Sequence, residues 1–292
     1  MNITQKDRIA SQCVCCDSTE LQKSPAILMP FVAHRVFGWQ PVEITTDWEL
    51  NTIKNGMAYS ICNSVFCNNC GHLFLDVRFN DNEMNVLYEG YRDEKYTKLR
   101  EHYEAGYSKR NEELNVKISY ISDIENFIYP HLDFPISVLD WGGDTGKNTP
   151  FTHHNKVLHI YYISNKSEIA SGAKKVDKST AMNNKYDLIV CSNVLEHIPY
   201  PEEVIFDIKN SMQPDSLLYI EVPLENLIRN NEKTDWIQNK KHWHEHINFY
   251  NSDSLSALIT KCGLYVVELK ELQVTENDKT FFLYLAICKL RK

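Results

Sequence analysis

The chain has 292 residues, 43% of them hydrophobic, enough to bury one large core or two smaller ones. A formal net charge of -8 and a pI near 5.8 disfavour broad electrostatic capture of nucleic acid, which needs a surplus of Lys and Arg on one face; a local basic patch stays open. The amino terminus lacks an apolar segment and the longest apolar runs are too short to span a bilayer, so a cytoplasmic protein is expected, and its nine cysteines read as reduced thiols or metal ligands.

In chain order, the first feature is a pair of cysteine clusters, Cys13-Val14-Cys15-Cys16 and Cys67-Asn68-Asn69-Cys70. Each presents two thiolates from one tight turn, and Cys13, Cys16, Cys67 and Cys70 together supply the four ligands of a closed tetrahedral zinc (Zn2+) site, with Cys15 and Cys62 as spares. Four protein ligands leave no open position, so the zinc is expected to be structural. The stretch between the clusters must be an insertion with some order of its own. A charged, tyrosine-rich connector follows, read as two or more helices from the spacing of Leu114, Ile118 and Ile121. Tyr88, Tyr91, Tyr96, Arg100, Tyr103, Glu104 and Tyr107 recur at three-to-five-residue intervals; the ordinary reading is helix packing with hydroxyls in water, with one or two left to face a cleft.

Next, the apolar run Ile136 to Leu139 meets the turn Asp140-Trp141-Gly142-Gly143-Asp144-Thr145-Gly146, where three glycines let backbone approach a ligand closely. Apolar segments at Val157 to Ile163, Leu188 to Cys191, Leu217 to Val222, Leu264 to Leu269 and Phe281 to Cys288 then alternate with helical patterns. One helix follows Pro201 and buries Val204, Ile205, Ile208 and Met212; another runs from an N-cap near Ser252 to a stop at Gly263. This order predicts an α/β fold with a mainly parallel sheet, whose ligands bind outside the carboxyl ends of the strands, where the glycine turn, Ser192-Asn193 and Pro223-Leu224 converge. The stretch from Asn165 to Lys185 shows no clear helix or strand.

VLDWGGDTG, YDLIVCSNVLEHIPYPEEV, LLYIEVP and HEHINFYNSDSLSALITKCGLYVVE resemble the successive landmarks of class I S-adenosylmethionine-dependent methyltransferases over about residues 110 to 292. The cysteine clusters followed by CGHLFLDVRFNDNEMNVLYEGYRDEKY are similar to the zinc-lobed subgroup that includes sugar C-methyltransferases and relatives associated with surface polysaccharides. The resemblance implies a Rossmann-like methyltransferase domain at 131–292, preceded by a zinc-binding lobe at 1–80 and a helical connector at 81–130. It implies S-adenosylmethionine held by Asp140, Gly142, Gly143 and Gly146, with Asn193 beside it. Two departures stand out. Asp144 replaces the middle glycine, so that its side chain points away or binds the cofactor's ammonium group; and Tyr161 or Tyr162 replaces the acidic residue that holds the ribose. Asp177 is a candidate adenine partner.

The resemblance further points to Glu245 and His246, with His246 as general base and Glu245 orienting it or binding a substrate hydroxyl; a free imidazole titrates near ~6.5, which suits proton transfer at neutral pH. The acceptor it implies is a small polar molecule, a nucleotide-linked sugar or surface-glycan precursor. Other readings remain: a binding protein that keeps the fold without turnover, motivated by Asp144 and Tyr162; a metallohydrolase using His242, His244 and His246 as alternating ligands; and a zinc-lobed RNA methyltransferase, which the acidic charge disfavours. Oligomeric state is not legible.

Overall fold

The computed structural model describes residues 7–40, 45, 47, 62–114, 116–162, 169–276 and 279–291. Strand β1 (Leu21–Leu28) leads into α1 (Pro30–Phe37), which starts on a proline, whose missing N–H is lost at no expense there, and stops at Gly38 in the left-handed region. β2 (Cys62–Cys67) runs antiparallel to β1 and to β3 (Leu73–Leu75). The connector forms α2 (Asp81–Tyr88), α3 (Glu94–Tyr103), α4 (Tyr107–Leu114) and α5 (Ile121–Ile128). Side-chain caps delimit the first two: Asn80 and Glu83 form a capping box, and Asp93 accepts from the Tyr96 amide at 2.7 Å.

The remaining elements are β4 (Ile136–Trp141), β5 (Asn155–Tyr161), β6 (Lys174–Val176), α6 (Lys178–Asn183), β7 (Leu188–Ser192), α7 (Pro201–Lys209), β8 (Leu217–Pro223), α8 (Asn226–Asn230), α9 (Trp236–Asn239), β9 (His242–Trp243), β10 (Asn248–Phe249), α10 (Ser252–Lys261), β11 (Leu264–Glu276) and β12 (Lys279–Leu290). β4, β7 and β8 are buried on both faces, which is why they read as unbroken apolar runs. They lie at the middle of a seven-stranded sheet ordered β11-β12-β8-β7-β4-β5-β6, parallel throughout except for β12, which is antiparallel to both its neighbours. The Rossmann-like, mainly parallel sheet expected from the sequence is therefore present.

The chain runs outward from β4 to β5 and β6, then returns to β7 on β4's other side. That reversal opens a crevice at the carboxyl ends of β4 and β7. The segment after residue 168 holds a three-residue strand, β6, and the short helix α6, although the sequence showed neither; Asp177 is the N-cap of α6 and accepts from the Thr180 amide at 2.7 Å. Residues 163–168, including the end of the expected Val157 to Ile163 strand, and the Leu114 side chain lie outside what is described.

A second, five-stranded sheet is ordered β10-β3-β2-β1-β9. Its three inner strands come from the amino-terminal quarter, whereas both edges, β9 and β10, come from residues 242–249. Trp243 in β9 is fully buried and donates its indole N–H to the Ser64 hydroxyl at 2.9 Å. Glu245 and His246 are thus held between two strands anchored in this sheet.

Candidate active site and metal centre

Four of the cysteines converge. The Cys13 and Cys70 sulfurs are 3.6 Å apart, as are those of Cys16 and Cys67, and all four lie within 4.8 Å of one another. Zn–S bonds of ~2.3 Å in a tetrahedron place sulfurs ~3.8 Å apart, so the donor set and spacing fit a zinc ion with four thiolates and no open position. The knuckle is closed by the Gly71 amide donating to the Cys67 carbonyl at 2.8 Å, with Gly71 at φ +73°. Cys62 is engaged elsewhere, its thiol donating to the Ala26 carbonyl at 3.1 Å, and Cys15 is buried outside the foursome.

The glycine turn follows β4 into the crevice. A Cβ on Gly143 would sit 2.3 Å from the Asp140 carboxyl carbon, and one on Gly142, at φ +94°, 2.5 Å from the Val194 side chain. The glycines are therefore required by the protein's own side chains, which fold the turn tightly over the strand end. Asp140 is buried there and accepts from the Thr149 hydroxyl; burial pushes its carboxyl up to about 6. Asp144 takes the left-handed conformation at φ +48°, one that Asp tolerates better than most residues. Its neighbours are Tyr162, whose phenol is pushed up by burial and by Asp144, and Arg92 from the connector, stacked over Tyr91 at 4.9 Å. Asn193, at φ +52°, points its amide at Glu221 (2.7 Å) and the Ser192 hydroxyl (3.1 Å). Glu221, unassigned from the sequence, is a buried hub that also receives the hydroxyls of Ser192 and Tyr219, each at 2.7 Å.

Beside the Gly142 contact Val194 come Glu196 and His197, and opposite them Glu245 and His246. Burial and the nearby Glu225, Glu196 and Glu245 act oppositely on His246, and the carboxylates prevail, raising it above the ordinary imidazole value; its Nδ1 donates to Glu225 at 2.7 Å. Burial, with His246 adjacent, brings His197 down to about 3, while burial lifts Glu196 to about 7. Burial also works against ionised Glu245, but Arg100 at 2.8 Å, with His244 and His197, outweighs it, so this carboxylate is held below its usual range. The Tyr96 hydroxyl donates to Glu245 at 2.7 Å and the Tyr88 oxygen lies 2.9 Å from His197 Nδ1. These connector hydroxyls therefore reach buried ionisable groups rather than water. His244 is bound to Glu104 and Arg100, His242 is exposed, and among the described residues these two and His246 do not gather as metal ligands.

A mainly parallel sheet with this strand order, with a glycine turn and titratable groups at its switch point, defines an open α/β architecture whose ligands bind outside the carboxyl ends of its strands. The chain belongs to the methyltransferase domain family, whose model matches residues 108–269. Among solved structures it is similar to the 1,6-didemethyltoxoflavin-N1-methyltransferase of Burkholderia thailandensis with bound 1,6-didemethyltoxoflavin and S-adenosylhomocysteine (15% identity, 66% of this chain and 88% of that one, TM-score 0.47). It is also similar to a SAM-dependent methyltransferase of Leishmania major (17%, 58% and 71%, 0.44) and to the glycopeptide N-methyltransferase MtfA complexed with sinefungin (9%, 60% and 99%, 0.44). No curated protein matches the chain.

Proposed function

We propose that the enzyme transfers a methyl group from S-adenosylmethionine to a small polar acceptor, a nucleotide-linked sugar or surface-glycan precursor, in the crevice between the glycine turn and the His246 cluster. The observation that carries this is the meeting, at the carboxyl ends of β4 and β7, of the glycine turn and a set of proton-handling side chains, Glu196, His197, Glu245 and His246. In this reading Asp140, Gly142, Gly143, Asp144, Gly146, Tyr162 and Asn193 surround the cofactor. Asp144 faces its ammonium group, and the Asn193 side chain acts indirectly, by fixing the end of β7 against Glu221. The methyl donor supplies an electrophilic sulfonium carbon; His246 takes the acceptor's proton, Glu225 balances the charge then formed, and Glu245 orients the acceptor. A structural zinc ion on Cys13, Cys16, Cys67 and Cys70 belongs to the same proposal, as do the three-part division at 1–80, 81–130 and 131–292 and a cytoplasmic location, which fits the many free thiols.

Calorimetric titration with S-adenosylmethionine and S-adenosylhomocysteine tests the cofactor site; micromolar binding, about -8 kcal/mol, is expected. No heat from either ligand would leave the reading of a binding protein that lost turnover. His246→Ala should lower turnover by about 10²- to 10⁴-fold with cofactor binding unchanged. Unaltered turnover removes His246 from the mechanism.

A further inference from the structure

We infer that Glu196, His197 and His246 form a second metal site, for a divalent first-row transition ion placed beside the reacting centre; the inference rests on the methyl-transfer reading of this crevice and deepens it. One ligand atom from each of the three lies within 4.8 Å of the others, and the two imidazole rings meet edge to face with centroids 4.6 Å apart. Both histidines have the same nitrogen already committed. His246 Nδ1 donates to the Glu225 carboxylate at 2.7 Å. His197 Nδ1 lies 3.1 Å from the Glu245 carbonyl, which only accepts, and 2.9 Å from the Tyr88 oxygen; the tautomer with the proton on Nδ1 is the one that gives this carbonyl a donor. Both Nε2 atoms are then left with lone pairs, and that of His197 stands 3.7 Å from Glu196 Oε1. A carboxylate or carbonyl on the far nitrogen is how proteins fix a metal-binding imidazole in its tautomer.

Glu196 supplies an independent sign. It is 1% exposed, and its Oε2 has no hydrogen-bond partner, a costly state for a buried carboxylate unless something cationic meets it. Two imidazoles and one carboxylate select Mn2+, Fe2+, Co2+ or Zn2+ over Mg2+ or Ca2+, which prefer oxygen alone. Three protein ligands also leave coordination positions open, in contrast to the closed cysteine centre. Those positions suit an acceptor oxygen, so the acceptor class narrows to molecules that present a hydroxyl or enol oxygen to the ion. Proton and ion compete for the same lone pair of His246: it is the base in the metal-free site and a ligand in the loaded one, where a coordinated hydroxyl gives its proton to water.

The test is to titrate the protein, purified with its cysteine-bound metal in place, with Mn2+ and follow the electron paramagnetic resonance of the free ion, measuring S-adenosylmethionine binding on the same samples. One equivalent of Mn2+ should bind in the micromolar range. Glu225→Gln, which keeps all three ligands, should weaken it by about 10- to 100-fold, and Glu196→Gln should abolish it. No saturable Mn2+ binding, or binding unchanged in both variants, overturns the site even if one variant misfolds, because the wild-type titration stands alone. Mn2+ binding without cofactor binding would sink the transferase reading instead and leave the ion site standing.

Discussion

Asp140 joins the shape of the turn to its charge. Its carboxyl fills the space beside Gly143, accepts from Thr149 and titrates near 6 because burial disfavours the anion. An acid whose folded pKa lies above its unfolded value of ~3.9 stabilises the fold fully below that value and loses the contribution as pH rises through the folded pKa. Between pH 4 and 7 this amounts to at most about 3 kcal/mol. Asp140→Asn should therefore remove a fall in stability with rising pH, which urea unfolding of both proteins at pH 4.5 and 7.5 would show; parallel pH dependence in the two would refute the assignment. At this scale the sequence was legible where a residue type has one use, as with the left-handed glycines and the paired cysteines. It was silent where the partner is remote. Nothing near Glu221 in LLYIEVP announces its hydroxyl donors, and the Tyr88 and Tyr96 hydroxyls acquire their meaning only from His197 and Glu245, more than a hundred residues away.

Among elements, α10 shows how a local signal does distant duty. Its N-cap is Asn251, adjacent to the Ser252 near which the sequence places the cap; Ser and Asn cap almost equally well. Asn251 Oδ1 accepts from the Ser254 amide at 2.9 Å while its Nδ2 donates to the Gly71 carbonyl at 2.7 Å, joining the helix start to the cysteine knuckle. Asn251→Ala should destabilise by about 2–4 kcal/mol, the sum of a lost cap and a buried carbonyl left without its donor. Asn251→Ser keeps the cap and should recover about 1 kcal/mol of that; equal denaturation midpoints for the two variants would show that the cap contributes nothing. Periodicity found the long central strands and the helices after Pro201 and Ser252. It missed β6, β9 and β10, because two or three residues hold no period to detect and their place is set by the neighbour they pair with.

For the whole molecule, the cysteine centre and the segment carrying Glu245 and His246 share one sheet. β2 ends on Cys67, β3 pairs with both β2 and β10, and Glu245 and His246 lie between β9 and β10. Replacing Cys67 and Cys70 by Ser should release the metal, lower the melting temperature and reduce turnover together, with metal content read by atomic absorption. A wild-type protein that is stable and active without metal would sink the structural role of the centre. The tie between lobe and transferase sheet is reinforced by Lys261 of α10, which binds Asp17 at 2.6 Å as well as Glu202.

The borrowed edges of the amino-terminal sheet also order events during synthesis. β1, β2 and β3 leave the ribosome while the segment that closes both of their flanks is still about 170 residues from being made. At ~5–20 residues per second the open edges wait roughly ten to thirty seconds, long enough for a neighbouring nascent chain to pair with them. The segment carrying His246 is consequently also the cover that ends this vulnerable interval, so a change there that spares the chemistry can still lower the yield of folded enzyme.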